Sequence, residues 1–451
     1  MSKERCATPD RRGSGAKKCG AVSMWVLLWT LGIAGQICWN VENQWFNTFV
    51  YAKISKDPAI ITGMLSFSAA ATTFATFFFG TWSDRLGKRR IFVSAGYILW
   101  GIFTIAFGLT QFIPPSHYVL AGVMVVAADT VMSFFGSMGN DGAFNAWTND
   151  IMTDRNRGQI GAALATQPVL GTIFGTVIGG LLVGSDDRYM RLFLVMGVLV
   201  IAFGIYAFFK MGEAETCRPS VRGTFWQQFL SVFDFKKLLG MRELLFVNLS
   251  VTVFFIGFNS YFAYIGNYII YHLGFTADQM GLIEAIPLVL AMAGSIPVAS
   301  LINKGHSFPV AAASVLVNVA GLMVLAPVTP EGLDTAKLFH PLLFLGIFLV
   351  GLGYIAFLQT TKVWTKRLYP EDSRGQFEGV WIIFFVLIPM VGGSLLGGHV
   401  VKTSGETFID AVSSQMQYIP NGSIFKAGAA VIILSLIPLF LARAAARKNE
   451  R

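Results

Sequence analysis

The stretch Gly80-Thr81-Trp82-Ser83-Asp84-Arg85-Leu86-Gly87-Lys88-Arg89-Arg90 lies between two long apolar runs. Each residue has a physical use there. Gly80 lets two helices approach closely. Asp84 can accept charge-assisted hydrogen bonds at a helix end. Gly87 permits a tight turn. Lys88, Arg89 and Arg90 hold the connection on the cytoplasmic face of a membrane. The plainer reading is a basic loop at a membrane edge.

The surrounding composition supports a membrane setting. The chain has 451 residues, of which 54% are apolar and 13% charged, and its mean hydropathy is +0.60. A soluble domain carries about 25% charged residues. A membrane helix needs roughly 20 mainly apolar residues. Twelve segments qualify: 22–50, 58–82, 91–112, 118–147, 159–183, 189–210, 244–273, 277–302, 308–328, 339–365, 375–401 and 424–443. The expected class is therefore all-α, a twelve-helix polytopic protein in the lipid bilayer.

The net charge of +9 would suit a nucleic-acid partner, but its location does not. With a cytoplasmic N-terminus, 27 Lys and Arg fall on the cytoplasmic side and 7 on the other. That is a strong positive-inside bias, and no nucleic acid is expected. Both termini are expected in the cytoplasm, with the protein multi-pass in a plasma or inner membrane. Residues 1–20 read as a basic tail. The first apolar segment carries Gln36, Asn40, Glu42 and Asn43 and no small-residue cleavage site, so it reads as a retained helix rather than a signal peptide. The four cysteines Cys6, Cys19, Cys38 and Cys217 lack metal-ligand spacing.

The longest connection, 211–243, divides the chain into an N-terminal six-helix half (21–210) and a C-terminal half (244–443), with a short tail over 444–451. Within it Phe225, Trp226, Phe229, Leu230 and Phe233 recur at helical spacing and Lys236 and Lys237 follow. That pattern predicts an amphipathic helix in the inner interface. An internal repeat supports the division. Arg157-Gly158-Gln159 opens segment 5 and Arg374-Gly375-Gln376 opens segment 11, an offset of 217. Gly175 and Gly180 then align with Gly392 and Gly397. Asn303-Lys304-Gly305-His306 is a degenerate copy of the opening stretch.

Polar residues inside hydrocarbon are costly and therefore informative. Gln36, Asn40, Asn43 and Asn47 share a face of segment 1, with Trp39 beside them. Amides donate and accept, and an aromatic ring stacks on sugar C–H faces, so the face suits a hydroxyl-rich ligand. Inter-helix hydrogen bonding is the alternative use. Segment 4 carries Asp129, Ser133, Ser137, Asn140 and Asp141. A carboxylate in low dielectric can carry a proton, bind a cation or accept from a substrate, or it can be an internal anchor. Glu42 and Glu284 are weaker candidates, placed nearer the outer surface. Segment 7 offers Asn259, Tyr261, Tyr264 and Asn267, and segment 10 offers Tyr354, Gln359, Thr360 and Lys362. There is no P-loop, zinc-type cluster or nucleophile elbow, and Gly351-Leu352-Gly353 suits helix packing. No cofactor, metal or enzymatic role is expected. Asn421-Gly422-Ser423 is a glycosylation sequon on the expected outer side.

The Gly80–Arg90 stretch resembles the G-x-x-x-D-R-x-G-[RK]-[RK] signature of the major facilitator superfamily, found between helices 2 and 3. A narrower match comprises Gly35-Gln36, Thr81–Arg85, the run Gly139-Asn140-Asp141-Gly142-Ala143-Phe144-Asn145-Ala146-Trp147, Asp150 and Arg157-Gly158. It resembles the glycoside–pentoside–hexuronide cation symporters and their sucrose-transporter-like relatives. The resemblance implies two six-helix halves and alternating access. It implies a sugar and cation role for Asp141, the place of the basic residue in the loop between helices 4 and 5 for Arg157, and a sugar-binding place for Gln36. The two helix 2 carboxylates of the sodium site correspond to about Ser68 and Thr72, so proton coupling, or no coupling, is favoured over sodium. The function expected is proton-coupled symport of a sugar or glycoside by a monomer. Its alternatives are an exporter or flippase of amphiphiles on the same fold, and a non-transporting sensor. The expected substrate set is Gln36, Trp39, Asn40, Asn43, Asp141, Asn145, Asn259, Tyr261 and Gln359, with Asp129 or Asp141 coupling. The expected switch loop is Gly80, Asp84, Arg85, Gly87, Arg89 and Arg157, with Asp84 and Arg85 reaching the neighbouring helix ends and the connection between segments 4 and 5.

Overall fold

The structure is a computed structural model that describes residues 21–153, 155–214, 216–221, 223–230, 235–369, 374–411 and 413–449. Twelve helices in it are long and apolar enough to cross a membrane. In the first half these are α1 (Ser23–Ile54), α2 (Pro58–Leu86), α3 (Arg90–Phe112), α4 (Pro115–Asp150), α5 (Gly158–Val183) and α6 (Tyr189–Lys210). In the second half they are α7 (Arg242–His272), α8 (Ala277–Asn303), α9 (Ser307–Leu325), α10 (Pro341–Leu368), α11 (Gly379–Ser404) and α12 (Ser423–Lys448).

Local chemistry sets several ends. Asp57 caps α2 by accepting from Ala59 N at 3.0 Å, and Pro58 occupies the first turn. Gly87 closes the same helix in the left-handed region, φ 60° and ψ 37°, as its place in the opening stretch demands. Thr276 and Gln279 form a capping box at the start of α8.

The packing repeats itself. In the first half α1 lies on α5, α2 on α4, and α3 on both α4 and α6. In the second half α7 lies on α11, α8 on α10, and α9 on both α10 and α12. Adding six to each number of the first set gives the second. The halves meet along α5 with α8, α2 with α11, and α1 with α7. A π-helical turn ends α1 at Val50–Ile54 and another ends α7 at Tyr268–His272. Their offset, 268 − 50 = 218, is one residue from that of the Arg-Gly-Gln repeat.

Two features differ from expectation. Between α11 and α12 the chain forms an antiparallel hairpin, β1 (Glu406–Ile409) with β2 (Met416–Ile419). It lies on the connection between α1 and α2: Tyr418 N donates to Lys56 O at 3.1 Å, and Lys402 Nζ stands 3.1 Å from Asp57 Oδ1. We call this the hairpin face and the opposite one, which carries Gly80–Arg90, the basic face. The expected amphipathic helix appears as Phe225–Leu230, followed by a second short helix, Phe235–Gly240. Phe233 lies outside the described residues, as do the side chains of Lys236 and Lys237. Phe225 and Phe229 dock on Phe78 and Phe74 of α2, with ring centroids 5.1 Å and 6.0 Å apart, while Trp226 and Leu230 are exposed.

Close backbone approach carries the packing inside each half. A Cβ on Gly96 of α3 would lie 2.5 Å from Gly139 Cα of α4, whereas one on Gly161 of α5 would meet nothing within 4 Å. Gly96→Leu should therefore cost about 1–3 kcal/mol through overpacking. The measurement is the midpoint of thermal unfolding in detergent, which should fall for Gly96→Leu and stay unchanged for Gly161→Leu.

Candidate functional site

The amides of α1 do not act alike. Asn43 Nδ2 donates to Trp39 O and Asn47 Nδ2 to Asn43 O, each at 2.7 Å, so these two return to their own helix. Asn40 is 6% exposed and faces α5, where its Oδ1 lies 3.3 Å from the Thr176 hydroxyl. Gln36 packs its Cβ against Gly171 of α5, but its side chain is half-buried and, among the described residues, makes no hydrogen bond. Trp39, also half-buried, turns to Trp100 of α3 at 4.8 Å between centroids.

The carboxylates of α4 occupy two separate places. Twelve residues part Asp129 from Asp141, about 18 Å along an α-helix. Asp129 is 2% exposed beside Ser133, whose Oγ lies 2.8 Å from Asp129 O and 2.6 Å from Glu42 Oε1 of α1. One hydroxyl hydrogen thus faces two acceptors. Glu42 is 7% exposed, and Glu42 Oε2 and Asp129 Oδ1 are both buried without a partner. Asp141 is half-buried in a π-helical segment, Met138–Phe144, and accepts from Ser137 Oγ at 3.0 Å. Short π segments recur at functional sites. Sequence periodicity carried no signal for this one. Asn145, one turn on, is exposed.

The second half contributes a different surface. Asn259 is half-buried and donates to Phe255 O at 2.8 Å. Tyr261 is 1% exposed and packs towards Phe425 of α12, which places it in the packing of that half. Gln359 is half-buried with its Oε1 unpartnered. Beside these stands an aromatic group. Phe258 stacks on Tyr354 at 4.7 Å and on Phe262 at 4.8 Å, and Phe385 meets Phe255 at 4.6 Å. Among these rings the sequence reading singled out Tyr354 alone. Aromatic residues are so common in apolar helices that they carry little signal by themselves.

The halves are joined towards the hairpin face. Thr62 Oγ1 donates to Ser394 O at 3.1 Å, Asn267 Nδ2 to Asn47 O at 3.3 Å, Tyr264 Oη to Pro58 O at 3.3 Å, and the Gln44 amide to Glu284. Near the basic face, by contrast, Gly158, Gln159, Gly161 and Ala162 of α5 and Ile296, Ala299 and Ser300 of α8 are exposed. The two helices thus touch at one end and are uncovered at the other.

On the basic face the clasp centres on Arg89. Its guanidinium reaches Asp84 at 2.5 Å, Asp150 at 2.9 Å and Ser83 Oγ at 2.6 Å. Burial alone would lower the Arg89 pKa, but the hydrogen bond to Asp150 and the charges of Asp84 and Asp150 raise it above its ordinary value. Arg85 takes a different partner from the one expected: it donates to Gly223 O at 3.0 Å and Gln228 at 3.2 Å, in the central connection. The planar fork of Arg89 serves three acceptors at once and so ties the loop to the end of α4. Glu213, just beyond α6, accepts from Arg89 N and Arg90 N at 2.9 Å and 3.0 Å and so caps α3. A Cβ on Gly80 would meet nothing within 4 Å, and the close approach to α4 at this level is made by Gly142, whose Cβ would lie 3.4 Å from Gly80 N. Arg157 opens α5, but its side chain lies outside the described residues. Among the described residues no group of three or more His, Cys, Asp or Glu side chains is placed to hold a metal.

A family model described as Major Facilitator Superfamily matches residues 28–330 and 247–451. No curated protein matches the chain. Among solved structures, a mutant of the nucleoside transporter NupG is similar at 14% identity, TM-score 0.68, covering 93% of this chain and 99% of that one. A bacterial homologue of the human lysosomal transporter Spinster, inward-facing and unoccupied, is similar at 12% identity and TM-score 0.69, covering 95% and 98%. A D-xylose–proton symporter is similar at 14% identity and TM-score 0.66, covering 93% and 97%. At these identities the likeness establishes the fold.

The clasp has a built-in reporter. Burial, with the nearby charge of Asp150, pushes the Cys217 thiol up to about 12. With Cys6 and Cys19 replaced by serine, alkylation of Cys217 at neutral pH should run at least about ten-fold slower than that of a free thiol. Asp150→Asn, which loosens Arg89 and removes a negative neighbour, should speed it. Mass spectrometry of the labelled protein measures both.

Proposed function

The chain belongs to the major facilitator superfamily, and on that premise we propose that it carries a sugar or glycoside across the membrane by alternating access, coupled to protons. The observation that carries this reading is the half-buried set near the middle of the helices. Gln36 and Asp141 come from one half, and Asn259, Gln359 and the Phe258–Tyr354 stack from the other. Amide and carboxylate groups recognise hydroxyls, and ring faces take C–H surfaces. A few convergent polar groups within apolar walls are the ordinary make-up of a small-molecule site. Trp39, Asn43 and Asn145 remain in the proposed substrate set. Asn40 and Tyr261 act from behind it, through the helices they pack.

Exposure of α5 and α8 at the basic end, with the seam joined at the hairpin end, supports access from the basic face in this arrangement. The 27-to-7 distribution of Lys and Arg supports assigning that face to the cytoplasm, with both termini there. Transport then consists of opening the hairpin seam while the basic face closes, in a protein that works as a monomer. The aromatic group favours an amphiphile as the second reading. A thermal-shift panel of sugars, nucleosides and lysolipids separates the two.

Coupling is assigned to Asp141 or Asp129. A protonatable group couples only if it is exposed to one side in one state and to the other side in the other. Asp141→Asn and Asp129→Asn, tested separately, should abolish uphill accumulation in vesicles with an imposed pH gradient while downhill exchange partly survives. If both variants concentrate substrate as the parent does, neither aspartate couples. Asp84→Asn should slow turnover with little change in substrate affinity, because Asp84 holds the clasp and not the site. Weakened binding at unchanged turnover would reverse that assignment.

A further inference from the structure

One carboxyl group at the hairpin seam stands apart from the proposed substrate and coupling residues. Glu284 lies two turns into α8 and is 5% exposed. Its Oε2 meets the Gln44 amide of α1, in the other half, and its Oε1 is buried without a partner. Gln44 in turn meets Thr176 Oγ1 of α5 at 2.9 Å, and Thr176 lies 3.3 Å from Asn40 Oδ1. The backbones beside this chain of groups are pressed together. A Cβ on Gly281 would fall 2.8 Å from Thr176 O, and one on Gly180 would fall 3.0 Å from Ala277 O.

The charges around Glu284 can be placed helix by helix. On α1 the titratable neighbour is Glu42, which is turned to Ser133 of α4. Helices α5 (Gly158–Val183) and α9 contain no charged residue, and α10 has no acidic one, with its Lys and Arg confined to the basic end. On α10 the titratable group at mid-depth is Tyr354. On α7, Glu243 accepts from Trp364 near the basic end, and His272 at the hairpin end pairs with Glu406 at 2.6 Å. On α8 itself Asp278 sits in the first turn. An anionic Glu284 would therefore have one neutral donor and no counter-charge, which is costly in a closed seam.

The acid form fits the same groups better. An amide exchanges donor and acceptor ends when it turns over. With Gln44 turned, Glu284 donates its proton to the Gln44 carbonyl, Gln44 donates to Thr176 Oγ1, and Thr176 donates to Asn40 Oδ1. Each hydrogen then has an acceptor. We propose that Glu284 is a proton-binding site built into the seam, filled when the hairpin face closes and emptied to water when it opens. Closure then takes up one proton. The closed state gains up to about tenfold over the open one for each unit that pH falls on that face. The inference rests on the rocking of the two halves but not on Asp129 or Asp141.

The test places nitroxide labels at Ser185 and Ala336, exposed positions on the hairpin face of opposite halves. Distances are measured by double electron–electron resonance in lipid nanodiscs, without substrate, from about pH 5 to about pH 8. The parent should shift from short to long distances as pH rises. Glu284→Gln should keep the short distances throughout. Gln44→Glu should move the transition to lower pH and steepen it, because closure must then take up a second proton or bury a charge. His272→Gln should retain the parent response. A parent distribution that ignores pH overturns the proposal, and so does a pH shift that persists in Glu284→Gln or disappears in His272→Gln. Because no substrate or gradient is used, failure of coupling at Asp129 and Asp141 leaves this outcome readable.

Discussion

Hydrocarbon offers no water to complete a hydrogen bond, so every polar group in the twelve helices must find its partner within the protein. The backbone solves this by helix formation, and the side chains then divide by type. Some hydroxyl groups close on their own helix: Thr73, Thr104, Thr130 and Thr360 each donate to the carbonyl four residues back, at 2.7–2.9 Å, whereas Thr62 and Thr176 cross to another. Amides and carboxyls are long enough to cross a gap. Gln167 reaches Leu28 O at 2.9 Å, Asn318 reaches Val350 O at 2.9 Å, and Gln44 reaches Glu284. The informative polar residues are the ones that leave their helix, and the most informative are those with an atom still unpartnered.

The same constraint shapes how the two halves meet. Buried strong bonds between the halves would hold one arrangement too firmly for exchange. The joins seen are neutral hydrogen bonds, glycine contacts and apolar packing such as that of Phe77 with Ile383, with the ion pair Lys402–Asp57 at the exposed margin. Small backbone-to-backbone contacts can part and reform at modest cost. The strong electrostatic ties lie within a half. Arg89 binds α2, α3 and the end of α4 into one unit and, through Glu213, attaches the start of the central connection to it. A half that is rigid inside and weakly joined outside can move as a body.

The central connection illustrates where periodicity misleads. Phe225, Phe229 and Phe233 read as one amphipathic face, and the first two do share one. That face docks on Phe74 and Phe78 of α2. The exposed Trp226 and Leu230 are on the other side. Spacing tells that a helix has an apolar face. It does not tell whether protein or lipid covers it, because both offer the same hydrophobic gain.

The sequence by itself determined the spans, their number, the duplicated halves and the turn at Gly87. Each depends on local properties: the transfer of one segment into lipid, the charge beside it, and a backbone angle that suits glycine. It also marked Asp129, Asp141 and Gln36 as groups that need a reason to be where they are. Only the tertiary structure decided which of them are enclosed and by what. Arg89 rather than Arg85 took Asp84 and Asp150, because three acceptors converge only after α2, α3 and α4 have packed. Glu42 and Glu284, read as weaker candidates nearer the outer face, are enclosed, Glu284 against a residue 240 positions away in the chain. Contacts at that separation belong to the meeting of two halves. A side chain's cost in lipid is legible from its own chemistry, but its partner is fixed only when distant helices come together.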